Sequence, residues 1–367
     1  PLVAIIGSKL VRDSKIAAWQ VTREEEFRRM VLDRFLEEFK GDNLKDKISD
    51  KLLEYISILA PLRPADNTFR EKLTSVLGVS VSDLVKSIDS FEKKGLLIRR
   101  GRLLRIVPDV VSDHILYNAC VSIDGTATTF ADEVFEEFQD THLGNILRNV
   151  AEIEWREKIS DNPVDILGKI WGRITQSFID APNYKRMEIL KQIKETAFFQ
   201  PSQVMDIVRI AINKPSLTLP EGDFAELLKD LSQEDVLREL PSLLRNIAYH
   251  LDYVKDCCNI VWDLGKDDKR ELSPHPQHAI RVLQDLASYH YKKPISFNQA
   301  VLEWIEDRLK NSEVHTFTHS LFNILDEFLE KEGEYVEASG PKVIFGTFPL
   351  NYQAIKPIRQ RTLKILK

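Results

Sequence analysis

The sequence predicts a mainly α-helical chain interrupted by two small β-hairpins. Three observations carry this. Apolar residues recur at spacings of three and four along most of the 367 residues, the stripe of helices packed on one face. Glycine, proline and short polar clusters punctuate the chain at helix-length intervals. Extended apolar runs flank turn residues in only two places, near 96–106 and 334–348.

Taken in order, LVAIIGSKLV reads as a short apolar helix. A second helix starts near Thr22, where Thr22 and Glu25 form a capping-box pattern, and runs to Gly41 with Phe27, Met30, Val31, Phe35 and Phe39 as its apolar stripe. A third covers about 44–59 and ends at the Pro-rich turn APLRPADN. Thr68–Leu77 is helical and stops at Gly78, and Ser82 opens a further helix, SDLVKSIDSFEKK, that ends at Gly95. LLIR (96–99) and RLLRI (102–106) then form a hairpin about Arg100-Gly101. Helix, turn, helix, hairpin is the winged-helix order.

Beyond Cys120 the chain reads as helices of 10–18 residues, until GEYVEA and KVIFGTF meet at Ser339-Gly340-Pro341 in a second hairpin. Pro163, Pro201, Pro241 and Pro276 recur at spacings of 38, 40 and 35, each read as a first-turn proline followed by apolar residues at its third and seventh successors. A period near 40 suits HEAT- or tetratricopeptide-like helix pairs. Helix starts attract proline in any case, and the tetratricopeptide consensus is absent. The expected organisation is a helical subdomain (1–60), a winged helix (61–120), a helical repeat-like array (121–333), and a hairpin with the start of a further helix (334–367).

Composition restricts function. A net charge of −6 and pI near 5.9 argue against a nucleic-acid-binding protein. The second helix of the winged helix sets Asp83, Asp89 and Glu92 against Lys86, Lys93 and Lys94, whereas a groove-reading helix presents a net positive face. The wing holds Arg99, Arg100, Arg102 and Arg105, suited either to phosphate contacts or to docking acidic neighbours. Cys120, Cys257 and Cys258 offer no disulfide framework and point to a reducing cytoplasm. No apolar run is long enough for a membrane span, and no signal peptide is expected. We read the opening at Pro1 and the ending RQRTLKILK as those of a piece of a longer protein.

Chemistry-bearing motifs are few. No phosphate-binding G-x-x-x-x-G-K-[ST] loop, G-x-S-x-G elbow or H-E-x-x-H helix occurs, so no catalytic residue and no cofactor of its own are expected. Cys257, Cys258, His275 and His278 form the best metal candidate, but adjacent cysteines do not readily face one ion, so they read as small apolar residues. His315 and His319 share a helix face without a third ligand nearby in sequence, and no metal is expected.

The order of helical subdomain, winged helix and helical array resembles the C-terminal half of a STAND ATPase, a signal-transducing P-loop switch. PLVAIIGSKLV is similar to that family's Gly-x-Pro helix, with Pro1 as the proline that packs on adenine. KLLEYISILAPLRP is similar to the lead-in to the family's winged helix. VPDVVSDHIL lines up with its Met-His-Asp motif, and Val107, Pro108 and Asp109 occupy the three places. Together these matches cover about residues 1–120. The resemblance implies ATP or ADP bound by the parent protein, self-oligomerisation, and a protein ligand captured by the array. Proline at 108 replaces the histidine that would contact the ADP β-phosphate and has no side-chain donor. ADP restraint would then fall to other groups, the basic wing among them, while Asp109 suits the cap of the following helix. On residues alone, Pro108-Asp109 is an ordinary helix start. Two other readings remain: a winged-helix transcription regulator with a helical ligand domain, and a helical protein-binding scaffold.

Overall fold

The computed structural model describes residue 12 and residues 24–37, 45–157, 164–214, 216, 231–272, 275, 277–290, 293–311, 316–339 and 342–367. Pro1, the LVAIIGSKLV segment, Pro163, Pro276 and His315 lie outside the described residues. The chain divides at Gly172/Arg173 into two compact units. Described residues are mainly helical, with two antiparallel two-stranded sheets, as the sequence predicts.

The first unit contains α1 (Glu24–Glu37), α2 (Lys45–Leu59), α3 (Asn67–Leu77), α4 (Val81–Lys93), β1 (Leu97–Arg100), β2 (Leu103–Ile106), α5 (Asp109–Cys120) and α6 (Phe130–Glu157). α1 buries Val31, Leu32 and Leu36, with Met30 and Phe35 half-buried; Met30, Val31 and Phe35 belong to the expected stripe, while Thr22, Phe39 and the Phe27 side chain lie outside the described residues. Asp66 caps α3 by accepting from Phe69 N at 3.0 Å, and Gly78 closes it at φ +64°, a left-handed conformation that glycine adopts without strain. α4 opens on Ser80 rather than Ser82: Ser80 Oγ accepts from Asp83 N at 3.1 Å. The hairpin pairs Leu97 with Ile106 and Arg100 with Leu103. Its turn is therefore Gly101-Arg102, one residue beyond the expected position.

A third, one-residue strand completes the wing. Leu62 and Leu104 exchange backbone hydrogen bonds at 3.1 and 2.8 Å. α2 packs on α3, β2, α5 and α6. Helix, short strand, two helices and two strands is the full winged-helix order, with α2 as its first helix. Residues 45–59 therefore pack with the winged helix.

α6 is tied to the end of α2. Asn149 Nδ2 donates toward Ile58 O (2.9 Å) and Ala60 O (2.8 Å), with Ser57 O at 3.3 Å; Asn145 Nδ2 donates to Leu59 O (2.8 Å) and Pro61 O (3.1 Å). These side chains satisfy the carbonyls that a helix end leaves unpaired. Buried Glu154 accepts from Ile166 N (2.5 Å) and Leu167 N (2.7 Å) before α7 (Gly168–Ile179).

The second unit continues with α8 (Asn183–Ile193), α9 (Pro201–Asn213), α10 (Gln233–Ile247), α11 (Val254–Gly265), α12 (Ala279–Ala287), α13 (Ile295–Arg308), α14 (Phe322–Leu325), β3 (Glu332–Ser339), β4 (Lys342–Pro349) and α15 (Tyr352–Ile365). From α9 to α14 each helix packs mainly on those one or two places along, as in a helical array. The proline period fails at a described position. Pro201 sits in the first turn of α9, but Pro241 lies inside α10, which starts instead at a capping box formed by Ser232 and Asp235. Fully buried Arg186 holds three helix-end carbonyls: Phe178 O (3.0 Å), Ile179 O (3.0 Å) and Lys214 O (2.8 Å).

Candidate functional site: the wing and its junction with the flanking helices

The wing arginines divide into two pairs. Arg99 forks onto Glu92 of α4, with Nε to Oε1 at 3.0 Å and Nη2 to Oε2 at 2.7 Å. This bond raises the Arg99 pKa further, so the guanidinium stays charged. Arg105 Nη1 lies 3.5 Å from Asp109 Oδ1, and its Nε is buried without a hydrogen-bond partner. Arg100 and Arg102 are exposed at the tip and carry no ion pair among the described residues. Strand alternation places Ile98, Arg100, Leu103 and Arg105 on one face of the hairpin. Ile98 and Leu103 are exposed there, giving a mixed apolar and basic surface.

α4 contributes no net charge to this surface. Asp83 is tied to Ser80 and approaches Lys86 at 3.9 Å, and Glu92 is occupied by Arg99. Pro108 is the N-cap of α5 and makes no side-chain capping bond. Asp109 does not cap α5, contrary to expectation. It is the first helical residue, and its carboxylate faces Arg105, favourable beside a helix N-terminus.

Sequence reading missed the histidine that the junction does use. His114, six residues beyond Pro108, is buried on α5, and its Nε2 lies 2.6 Å from Asp33 Oδ1 on α1. Asn118 Nδ2 approaches the same nitrogen at 3.2 Å. With its hydrogen assigned to Nε2, the imidazole donates to the carboxylate. One turn away, Arg29 donates to the Tyr117 hydroxyl at 3.1 Å and stacks over that ring at 4.8 Å. Residues 29 and 33 on one helix thus grip 114 and 117 on the other. The available signal was the 111, 114, 115 spacing, which sets a histidine among core residues of α5. Nothing local names its partner 81 positions upstream.

Within the second unit a cleft of about 590 Å³ runs between α10 and the end of α11. Glu234, Leu237, Arg238 and Pro241 line it from one face of α10, opposite Asp263, Leu264 and the Asp267–Arg270 loop. Arg270 forks onto Asp268 at 2.6–3.0 Å and holds that carboxyl down at about 2. His319 bonds the Asp268 carbonyl (2.6 Å), and fully buried His278 sets Nε2 at 3.3 Å from the Asp268 carboxylate. His278 Nδ1 also accepts from Ile280 N as the cap of α12, and burial lowers its pKa. His319 braces a loop of the cleft; among the described residues the lining includes no serine, cysteine, threonine or histidine.

Cys257 and Cys258 lie in α11, where burial raises both thiols, Cys258 to about 12. His275 is exposed, while His278 is the α12 cap, and the described residues form no group suited to a metal ion. No described helix is long and apolar enough to cross a membrane. The fold is thus a winged helix set among helices, followed by a helical array. Compared with known families, characterised proteins and solved structures, the chain matches none.

Proposed function

We propose that this chain is the regulatory and sensor part of a nucleotide-dependent signalling switch of the STAND kind. The supporting observation is how the winged helix is held. His114–Asp33 and Arg29–Tyr117 join it to the preceding helix, Asn145 and Asn149 join it to the following one, and half of the wing arginines are engaged internally. Such contacts suit a lever in which the winged helix moves together with α6 and is docked on α1 through a few side-chain contacts that can separate.

In this reading the parent protein binds ATP or ADP, the helical array captures a protein ligand in the cytoplasm, and capture releases self-oligomerisation, in a role that would fit bacterial antiviral defence. The ligand must bind the open state more tightly than the closed one, since equal affinity shifts nothing. This chain contributes no catalytic residue. The test is sedimentation of the intact parent protein with ATP or ADP, with and without extract from phage-infected cells. The expected result is a large assembly with ATP and infected extract only; one unchanged species under all four conditions refutes the proposal.

Exposed Arg100 and Arg102 favour DNA reading as the alternative. A gel shift with duplex DNA at moderate salt that is lost in the Arg100→Glu/Arg102→Glu variant would establish it.

A further inference from the structure

The hairpin β3–β4 is a two-stranded sheet, so no further described strand pairs with either outer edge. Val343, Ile344 and Phe345 are consecutive and all exposed, Phe345 to 76%. An edge strand usually carries charge or proline as a guard against pairing. β4 has Lys342 at its start and Pro349 at its end, with no charged residue between, whereas β3 contains Glu332, Glu334 and Glu337. A pair of β3 edges would therefore gather six carboxylates, and a pair of β4 edges would gather none.

The hairpin is built to keep its shape. Tyr335 lies over Gly346 and Phe348 over Gly333; a Cβ at either glycine would stand 2.4–2.5 Å from ring carbon. Arg359 of α15 donates to Glu330 O at 2.8 Å, fixing the base of β3.

We infer that the β4 edge pairs antiparallel with the β4 edge of a second copy of this chain, forming a four-stranded sheet about a twofold axis at Phe345. In that register Phe345 faces its own copy, Val343 faces Thr347, and Lys342 faces Phe348, so no like charges meet. Directly opposed residues share a sheet face, which gathers Val343 and Phe345 of both copies into one apolar stripe. A short strand pair buries less than the roughly 1,600 Å² of a standard interface, so the dimer is weak and concentration-dependent. It needs no nucleotide, which separates its failure from failure of the switch proposal.

The test is sedimentation equilibrium of the full chain, without nucleotide, between about 1 and 100 µM. Dimer at the upper end, with Phe345→Lys raising the half-dimerisation concentration at least about tenfold, supports the inference. Monomer throughout, or a dimer that Phe345→Lys leaves intact, overturns it. Under mild oxidation Phe345→Cys should cross-link at least about tenfold faster than Val343→Cys, because only position 345 meets itself; equal rates overturn the register. Hydrogen exchange of α13 and α15 checks that each variant keeps its fold.

Discussion

Replacing Asn149 by alanine removes one of the two side chains, Asn145 and Asn149, that clamp α6 to the end of α2. The amide offers two hydrogens, and the 2.8 and 2.9 Å bonds to Ala60 O and Ile58 O use both. A buried carbonyl stripped of its donor costs about 1–3 kcal/mol. Ala60 O keeps Arg148 Nη2 at 3.4 Å, so one of the two losses is softened. We therefore expect about 2 kcal/mol for Asn149→Ala. With a urea slope of roughly 2 kcal/mol/M, the unfolding midpoint of the first unit falls by about 1 M. Asn149→Asp separates hydrogen bonding from packing, because it keeps the shape but turns a carboxylate toward the same carbonyls. It must be more damaging than alanine. The assay is urea unfolding of the intact chain, with hydrogen exchange of the Lys45–Leu59 amides locating the effect. A midpoint moved by less than about 0.3 M, or an aspartate variant more stable than the alanine one, refutes the reasoning.

Three further outcomes follow from the same geometry. His114→Ala removes the imidazole from Asp33, so hydrogen exchange in Glu24–Glu37 should quicken at least about tenfold while α3 and α4 keep their protection. Equal exchange in α1 would mean that apolar packing alone holds it. Gly346→Ala drives a methyl to 2.5 Å from the Tyr335 ring and should cost the hairpin about 1–3 kcal/mol, read as loss of amide protection in β3 and β4. Lys293 is buried and donates to Leu286 O at 2.8 Å and Asp285 O at 3.2 Å; burial brings its amine down to about 8, below its unfolded value near 10.4. Between those values the unfolded chain binds more protons, so this residue makes stability rise with pH. Cys257 and Cys258, kept protonated by burial, pull the other way above about 8.5. The wild type minus Lys293→Met stability difference isolates the lysine and should rise from pH 8 to 10; a flat difference contradicts the assignment.

Local signals in the sequence were good guides where one helix turn decides the outcome. Gly78 ends α3 because its left-handed conformation suits a residue without Cβ, and that is visible in the chain. The Ser80 cap was equally readable as Ser-x-x-Asp, and choosing Ser82 passed over it. Pro241 misled because proline preference was read without the Ser232–Asp235 capping box nine positions earlier, which starts α10 and leaves the proline mid-helix. Long-range contacts left no local trace. The Leu62–Leu104 strand is one residue long, and its register depends on tertiary packing. His114 and Asp33 are 81 positions apart, and nothing in the spacing around Pro108 and Asp109 points to a helix so far upstream. Charge counting showed α4 to be neutral, but not that Glu92 and Asp109 would engage Arg99 and Arg105.

The central claim is that nucleotide state moves the winged helix against the helix before it. Hydrogen exchange of the intact parent protein, loaded first with ADP alone and then with ATP plus infected-cell extract, reads this at the amides of Glu24–Glu37 and Asp109–Cys120. The account predicts faster exchange in both segments on going from ADP to ATP with ligand, as the His114–Asp33 and Arg29–Tyr117 contacts separate. Identical exchange in the two nucleotide states, or no nucleotide bound at all, would contradict it.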